Sequence, residues 1–519
     1  MSMFKPSLRG LPRRSTVAAL LCAQGLTAAC GSAATAADAP AWPRPAPPVA
    51  ERVAAAQSLL PGFEAPSATH CARPVQTVDV PGRPANAPAA FAPDLPAAET
   101  ARADRSGASS GALAKTEAAA PADRLREMRS SAPVPLSSAP ATQPPPSPPG
   151  TDAPRQQHAQ VTAGMVDDNA DFASYLQFLR GNAQVPHRER DVRERYLLQV
   201  RTPSGVPVPD AEVAVRAPGG AAMWARTDSA GRAWLHPRAF DPQGSARYRV
   251  AVRRDGREAE AELRRGQKQA VDVVVPDAPA QAQAQAQAQA PARARLDLVF
   301  LVDATGSMDD EIAKLRASLG SIAADVARLP SRPDLCLGLV AYRDRGDAFL
   351  LRRHNLSNDL PGFQAALDAL RAEGGGDYPE AMSEALHDTV HHIDWRGSGA
   401  TRLVVLLADA PPHLDYGGPQ YDQDMLAALG KGIKVFSVGA SGLNRQGEYI
   451  QRQIAQYTGG RFVFLTYQDA RNPASGPGPE TVHDVRNYSV QTLDRLIVRL
   501  VKEELDKLPD VPDVPQGRG

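Results

Sequence analysis

Three segments of the chain carry oxygen donors at spacings that suit a hard metal ion. Asp303 is followed by Ala304-Thr305-Gly306-Ser307-Met308, so two hydroxyls alternate behind one carboxylate. Asp409 closes the apolar run Leu406-Leu407-Ala408. An acidic loop, Gly374-Gly375-Gly376-Asp377-Tyr378-Pro379-Glu380, opens a further helical stretch. Carboxylates and hydroxyls converging on one crevice suit Mg²⁺ first, with Mn²⁺ or Ca²⁺ as alternatives. The expected metal set is Asp303, Thr305, Ser307, Asp377 and Asp409.

Competing chemistries fail on residue type. Ser307 has no Ser-His-Asp context, so it does not read as a nucleophile. A dehalogenase-type phosphatase needs a second Asp where Thr305 stands. A phosphate loop needs a lysine that Gly306-Ser307-Met308 lacks. His387 and His391 stand four apart behind Glu384, but without an HExxH pattern they read as a solvated helix face. No catalytic residue is expected.

The elements that must position these residues read as strand alternating with helix. Residues 296–302, interrupted only by Asp297, and 403–408 are apolar runs, as in strands covered on both faces. Residues 335–341, 433–438 and 462–465 repeat the pattern, and helical periodicity falls near 309–328, 361–371, 379–393, 420–430 and 444–457. That order predicts a doubly wound α/β domain, in which the carboxyl ends of the strands form the ligand crevice. Both Asp303 and Asp409 stand at such ends.

At these residues Asp303-x-Thr305-x-Ser307 resembles the signature of the von Willebrand factor type A (vWA) domain and its metal-ion-dependent adhesion site. The resemblance covers residues 295 to about 467 and places Asp409 at the family's third-motif aspartate. It implies that Thr305 and Ser307 ligate the metal directly and that Asp303 and Asp409 act through waters. It further implies an open position for an acidic residue of a protein partner. Many adhesive members carry Thr in the second loop; here Asp377 resembles a Gly-Gly-Gly-Asp-x-Pro-Glu subgroup, and an added anion weakens the pull on an incoming carboxylate. Tyr342-Arg343-Asp344 resembles a strand-end pattern of the family, so Arg345-Gly346-Asp347 is assigned to structure.

The rest of the chain reads as delivery and spacing. Of 48 prolines, 24 fall in the first 150 residues, which hold only four of the 27 aromatics. So little buriable surface predicts disorder there. Lys5, Arg9, Arg13 and Arg14 precede a short apolar stretch at 17–29, as in an export signal. Leu26-Thr27-Ala28-Ala29-Cys30-Gly31 resembles a bacterial lipobox, which would lipidate Cys30; cleavage after Ala34-Thr35-Ala36 is the alternative. Arg13-Arg14 lacks the remainder of a twin-arginine pattern. The formal charge is zero, and removing residues 1–29 leaves 54 basic against 58 acidic side chains, a net charge of −4. That balance gives no electrostatic reason to bind nucleic acid. Outside the N-terminus no apolar run is long enough for a membrane span. Cys22 and Cys30 belong to the leader, Cys336 reads as a small buried hydrophobe, and pairing of Cys71 with Cys336 is not expected.

The expected layout is a signal peptide at 1–29, a disordered Ala/Pro-rich tether at 30–160 and an amphipathic helix with connector at 161–193. A β-sandwich follows at 194–276, a Gln-Ala linker at 277–294, the vWA domain at 295–470 and a C-terminal loop and helix at 471–519. The sandwich reads as antiparallel from alternating runs at 197–200, 213–215, 248–252 and 271–275. Its Gly205-x-Pro207 and Thr227-Asp228-x-x-Gly231 turns resemble Ig-like or carboxypeptidase-regulatory-like modules. The expected function is that of an exported, lipid-anchored, non-enzymatic adhesion-type protein in the periplasm, outer membrane or cell surface. The alternative is a cell-envelope assembly or stress-response component that uses the vWA domain to hold a partner protein.

Overall fold

The computed structural model describes residues 71, 73–82, 161–267, 269–279, 293–397 and 399–509. The expected signal peptide, Cys30, most of the tether and most of the Gln-Ala linker lie outside the described residues. Among the described residues no helix is long and apolar enough to cross a membrane.

The chain order begins with β1 (Thr77–Val80), β2 (Thr162–Val166) and α1 (Phe172–Gly181). Then come β3 (Tyr196–Arg201), β4 (Glu212–Arg216), β5 (Ala222–Arg226), β6 (Arg232–Leu235) and the single-turn α2 (Pro237–Phe240). β7 (Arg247–Arg254), β8 (Arg257–Arg264) and β9 (Ala270–Val274) complete this segment. After the linker follow β10 (Arg295–Asp303), α3 (Asp309–Ala327), β11 (Asp334–Tyr342), β12 (Leu351–Ser357), α4 (Leu360–Asp368) and α5 (Met382–His392). β13 (Ala400–Ala408), α6 (Tyr421–Lys431), β14 (Ile433–Gly439), α7 (Arg445–Tyr457) and β15 (Phe462–Asp469) come next. β16 (Asn472–Pro477), β17 (Gln491–Thr492) and α8 (Leu493–Leu505) end the described chain.

A ten-stranded sheet runs β1-β12-β11-β10-β13-β14-β15-β2-β17, with β16 paired to β15. β10 sits at its centre, parallel to β11 and β13, and β13-β14-β15 continue in parallel. The apolar runs of β10 and β13 are buried on both faces, each by a different set of helices. Val299, Leu301, Val404 and Leu406 meet α5, α6 and α7 on one face. Leu298, Phe300, Val405 and Leu407 meet α3, α4 and α8 on the other. From α8 the periodic Leu493, Ile497, Leu500, Val501 and Leu505 are all buried there.

Besides β16 and β17 of the C-terminal segment, two segments expected outside this domain are strands of its sheet. β1, within the expected tether, pairs antiparallel with β12 from Thr77↔His354 to Val80↔Leu351. Asp79 holds Arg352 through two hydrogen bonds of 2.8 and 2.7 Å. Cys71, expected unpaired, forms a disulfide with Cys336 of β11, with Cα atoms 5.8 Å apart. The stretch at 161–193 is likewise more than helix and connector, because β2 lies antiparallel to β15. Behind it α1 is capped by Asp171 and buries Tyr175 and Phe178. Asp168, just before α1, is buried in a pair with Arg452 of α7 at 2.6 Å.

Residues 196–274 form two small sheets, β6-β3-β9 and β5-β4-β7-β8. The expected all-antiparallel pairing fails at β3 and β9, which are parallel. Leu198, Val213, Val250 and Val252 of these sheets belong to the same apolar cluster as Val404, Met425 and Ile450. The small sheets therefore share a core with one face of the large sheet instead of standing off as a spacer.

The junction is also ionic. Asp210, at the positive φ of 54°, turns into the interface. Its carboxylate accepts from Arg402 Nη1 at 2.9 Å, Arg226 Nη1 at 3.2 Å, Arg254 Nη1 at 3.3 Å and the Gly399 amide at 2.6 Å. Arg402 is fully buried, and it also donates to the carbonyls of Arg396, Gly397 and Lys431.

Candidate metal centre

Asp303 ends β10 and is fully buried. Its Oδ1 accepts from the Thr305 amide at 3.0 Å and the Thr305 hydroxyl at 2.6 Å. Its Oδ2 accepts from the Tyr342 hydroxyl at 3.0 Å. The turn at Gly306–Met308 then starts α3 and sets Ser307 Oγ 3.1 Å from Thr305 Oγ1. Asp409 follows β13, and the Ser307 side chain on its side of the crevice favours its ionised form. Asp303, Thr305 and Ser307 are thus linked by hydrogen bonds, with Asp409 facing Ser307.

The glycine loop closes over it. Gly306 donates to the Gly374 carbonyl at 3.1 Å, and Glu373 donates to the Ala304 carbonyl at 3.0 Å. Gly375 has φ of +75°, and a Cβ there would lie 2.8 Å from Glu380 Oε1 and 3.3 Å from Thr305 Cβ. Only glycine meets both demands. Asp377 is placed differently from the other four residues: its side chain is 60% exposed, at the rim, with His413 Nε2 3.6 Å away. Asp344 and His413 stand beside it, and Asp344 accepts from Tyr416.

The electrostatics of the floor are those of uncompensated anions. Burial raises the pKa of Asp303, and the nearby Asp344 charge adds to the rise. Burial, then the charge of Asp303, raises Asp409. Glu380 is pushed up to about 9 by burial and then by Asp303, Asp344 and Asp409. Asp409 Oδ1 and Glu380 Oε2 are buried with no hydrogen-bond partner. Among the described residues no lysine or arginine pairs with these three carboxylates. Buried charges are ordinarily paired or coordinate metals. Two hydroxyls, three carboxylates and two unpartnered buried oxygens fit a hard divalent cation.

Several contributors were not singled out from sequence. Glu380 lies in the acidic loop, where Asp377 drew attention because of the motif. Tyr342, seen only as part of a strand-end pattern, fixes Asp303. Glu311 of α3 accepts from Tyr467 and adds negative charge near Asp409. Arg345-Gly346-Asp347 is structural, since Asp347 Oδ2 accepts from the amides of Asp344 at 3.0 Å and Gly375 at 2.8 Å. His387 and His391 do not form a free solvated face, because both bond the buried Asp424.

Comparison with known proteins bears on this segment. The sequence pattern of the von Willebrand factor A domain matches residues 297–412. The chain is 31% identical over 124 residues to alpha-protein kinase vwkA of Dictyostelium discoideum, covering 23% of this chain and 19% of that protein. It is 30% identical over 120 residues to an ariadne-like RING finger protein of Acanthamoeba polyphaga mimivirus, covering 23% of this chain and 11% of that protein. The chain thus spans less than a fifth of the length of either relative. Residues 297–412, which hold Asp303, Thr305, Ser307, Asp377 and Asp409, are a von Willebrand factor A domain.

Proposed function

We propose that the chain is an exported, non-enzymatic binding protein whose vWA domain, on a doubly wound α/β frame, uses a divalent cation to engage an acidic residue of a protein partner. The observation that carries this reading is the set of buried carboxylates without a cationic partner beside two converging hydroxyls. Thr305 and Ser307 would hold the ion by their hydroxyls, with Asp303 and Asp409 behind them and Asp377 at the rim. Mg²⁺ fits best, and Mn²⁺ or Ca²⁺ are alternatives. The ion supplies a positive charge that a partner's carboxylate completes. The chain's own residues orient the hydroxyls and keep the anions in place. Ser307 bonds Thr305 and not a histidine, which supports binding over catalysis.

Export and a lipid anchor at Cys30 belong to the same proposal. The Cys71–Cys336 disulfide supports export, since such bonds persist in oxidising compartments. The small sheets, whose turns resemble Ig-like modules, brace the domain from one side and leave the Asp303 crevice to the partner.

Millimolar Mg²⁺ acting on a site of roughly 10⁻⁴ M affinity stabilises the folded chain by about 1–2 kcal/mol. The melting temperature of the chelator-stripped full chain is expected to rise on adding Mg²⁺, and Asp303→Ala is expected to abolish that increment. Comparing increments, not absolute melting points, removes any intrinsic effect of the substitution. An unresponsive wild type, or a variant that responds like wild type, would refute the proposal.

A further inference from the structure

A second set of ligating side chains lies on the α5–α6 face, away from the hydroxyl motif. His387 and His391, four residues apart on α5, project from one side of that helix. His387 Nδ1 is 2.9 Å and His391 Nε2 3.0 Å from the same oxygen, Asp424 Oδ1, in the first turn of α6. Ligand atoms of all three residues lie within 4.8 Å of one another. The second Asp424 oxygen, Oδ2, is buried and has no hydrogen-bond partner, and the Asp424 side chain is only 4% exposed. The two imidazoles are 38% and 33% exposed, so the cluster opens to solvent on its histidine side.

We propose that His387, His391 and Asp424 form a transition-metal site of the Zn²⁺ class, with three protein ligands and an open position. The donor set decides the metal. Two imidazole nitrogens and one carboxylate oxygen match borderline ions such as Zn²⁺, whereas Mg²⁺ prefers the all-oxygen crevice at Asp303. Geometry agrees with this choice. A tetrahedral ion with bonds of about 2.0–2.1 Å sets its ligand atoms roughly 3.3 Å apart, close to the separations now bridged by hydrogen bonds. On binding, each imidazole presents a lone pair at the nitrogen that faces Asp424 and keeps its proton on the other ring nitrogen. Asp424 remains the buried anion that partly neutralises the ion.

The charged groups around the site are engaged elsewhere. His392 is engaged with Asp388 at 3.2 Å, and Asp388 also holds Arg353. Lys431 donates to the Val390 carbonyl at 2.7 Å, and its charge reaches His387, His391 and Asp424. The site fastens α5 to α6, and its open position faces solvent, where water or a partner's side chain completes the shell.

The test is a titration of the full chain, stripped with chelator, with Zn²⁺ against a chromophoric competitor. Wild type and Asp303→Ala should each take up one tight equivalent. His387→Ala and His391→Ala should weaken that uptake at least about tenfold, since even supporting residues around metal sites change affinity by about 10–100-fold. Co²⁺ in place of Zn²⁺ should give the visible absorption of a four-coordinate ion in wild type alone among the wild type and histidine variants. Retained wild-type melting of His387→Gln controls for folding. No tight uptake by wild type, equal uptake by the histidine variants, or loss confined to Asp303→Ala would overturn the site. The last result would put the zinc in the Asp303 crevice and leave the vWA reading standing.

Discussion

Replacing Asp210 with alanine should destabilise the full chain by about 3–5 kcal/mol, the usual cost of breaking a buried ion pair by removing one member. Asp210 stands between Arg226, Arg254 and Arg402, with Arg402 Nη1 at 2.9 Å and the Gly399 amide at 2.6 Å. Alanine removes the carboxylate shared by Arg226, Arg254 and Arg402 where the small sheets meet β13, although Arg226 still pairs with Glu212 at 2.7 Å. Urea unfolding monitored by tryptophan fluorescence measures the loss, and a cost below about 1 kcal/mol would contradict the role given to this carboxylate. The same residue sets a pH dependence. Burial opposes its charge, but Arg402, Arg226 and Arg254 outweigh burial and hold its pKa below the ordinary carboxylate range. A carboxylate with a depressed folded-state pKa contributes stability that is complete above its unfolded value of about 3.9 and is lost as pH falls through the folded value. The gap between wild type and Asp210→Ala should therefore be full at neutral pH and shrink in acid.

The second large effect is covalent. Cys71 and Cys336 are 265 residues apart in sequence, so their bond removes considerable loop entropy from the unfolded chain. Loss of such a bond costs about 2–5 kcal/mol. Cys336→Ala, or reduction of wild type, should lower stability by that amount and release β1 from the sheet edge it occupies beside β12. Peptide mapping without reductant should recover Cys71 and Cys336 in one linked product. Recovery of both as free thiols would contradict the pairing.

The central strands and the hydroxyl motif were legible because their signals are local. Residues 298–302 are apolar without a break, so a strand buried on both faces follows from the run itself. Asp303, Thr305 and Ser307 fall within five residues, and one strand-to-turn connection suffices to bring them together. What escaped the sequence was recruited from far away. β1 offers only Thr-Val-Asp-Val, exposed or half-buried along its length, and its partner β12 lies more than 270 residues on. Nothing local marks an edge strand of that kind. Disulfide connectivity is equally non-local, and four cysteines do not disclose which two will meet. Glu380 was in view within the acidic loop, but its burial depends on the fold of Gly374–Gly376 over Thr305. Asp424 is one of two acids on α6, and only helix packing aims it at His387 and His391.

The central claim is that Asp303, Thr305, Ser307 and Asp409 hold a hard divalent cation. Anomalous diffraction from crystals of the full chain grown with Mn²⁺, collected on both sides of the manganese absorption edge, tests it most directly. The account predicts an anomalous peak within about 2.2 Å of the Thr305 and Ser307 hydroxyl oxygens, absent from Asp303→Ala crystals grown in the same way. A crevice without manganese at saturating Mn²⁺, or a peak there that persists in Asp303→Ala, would contradict it.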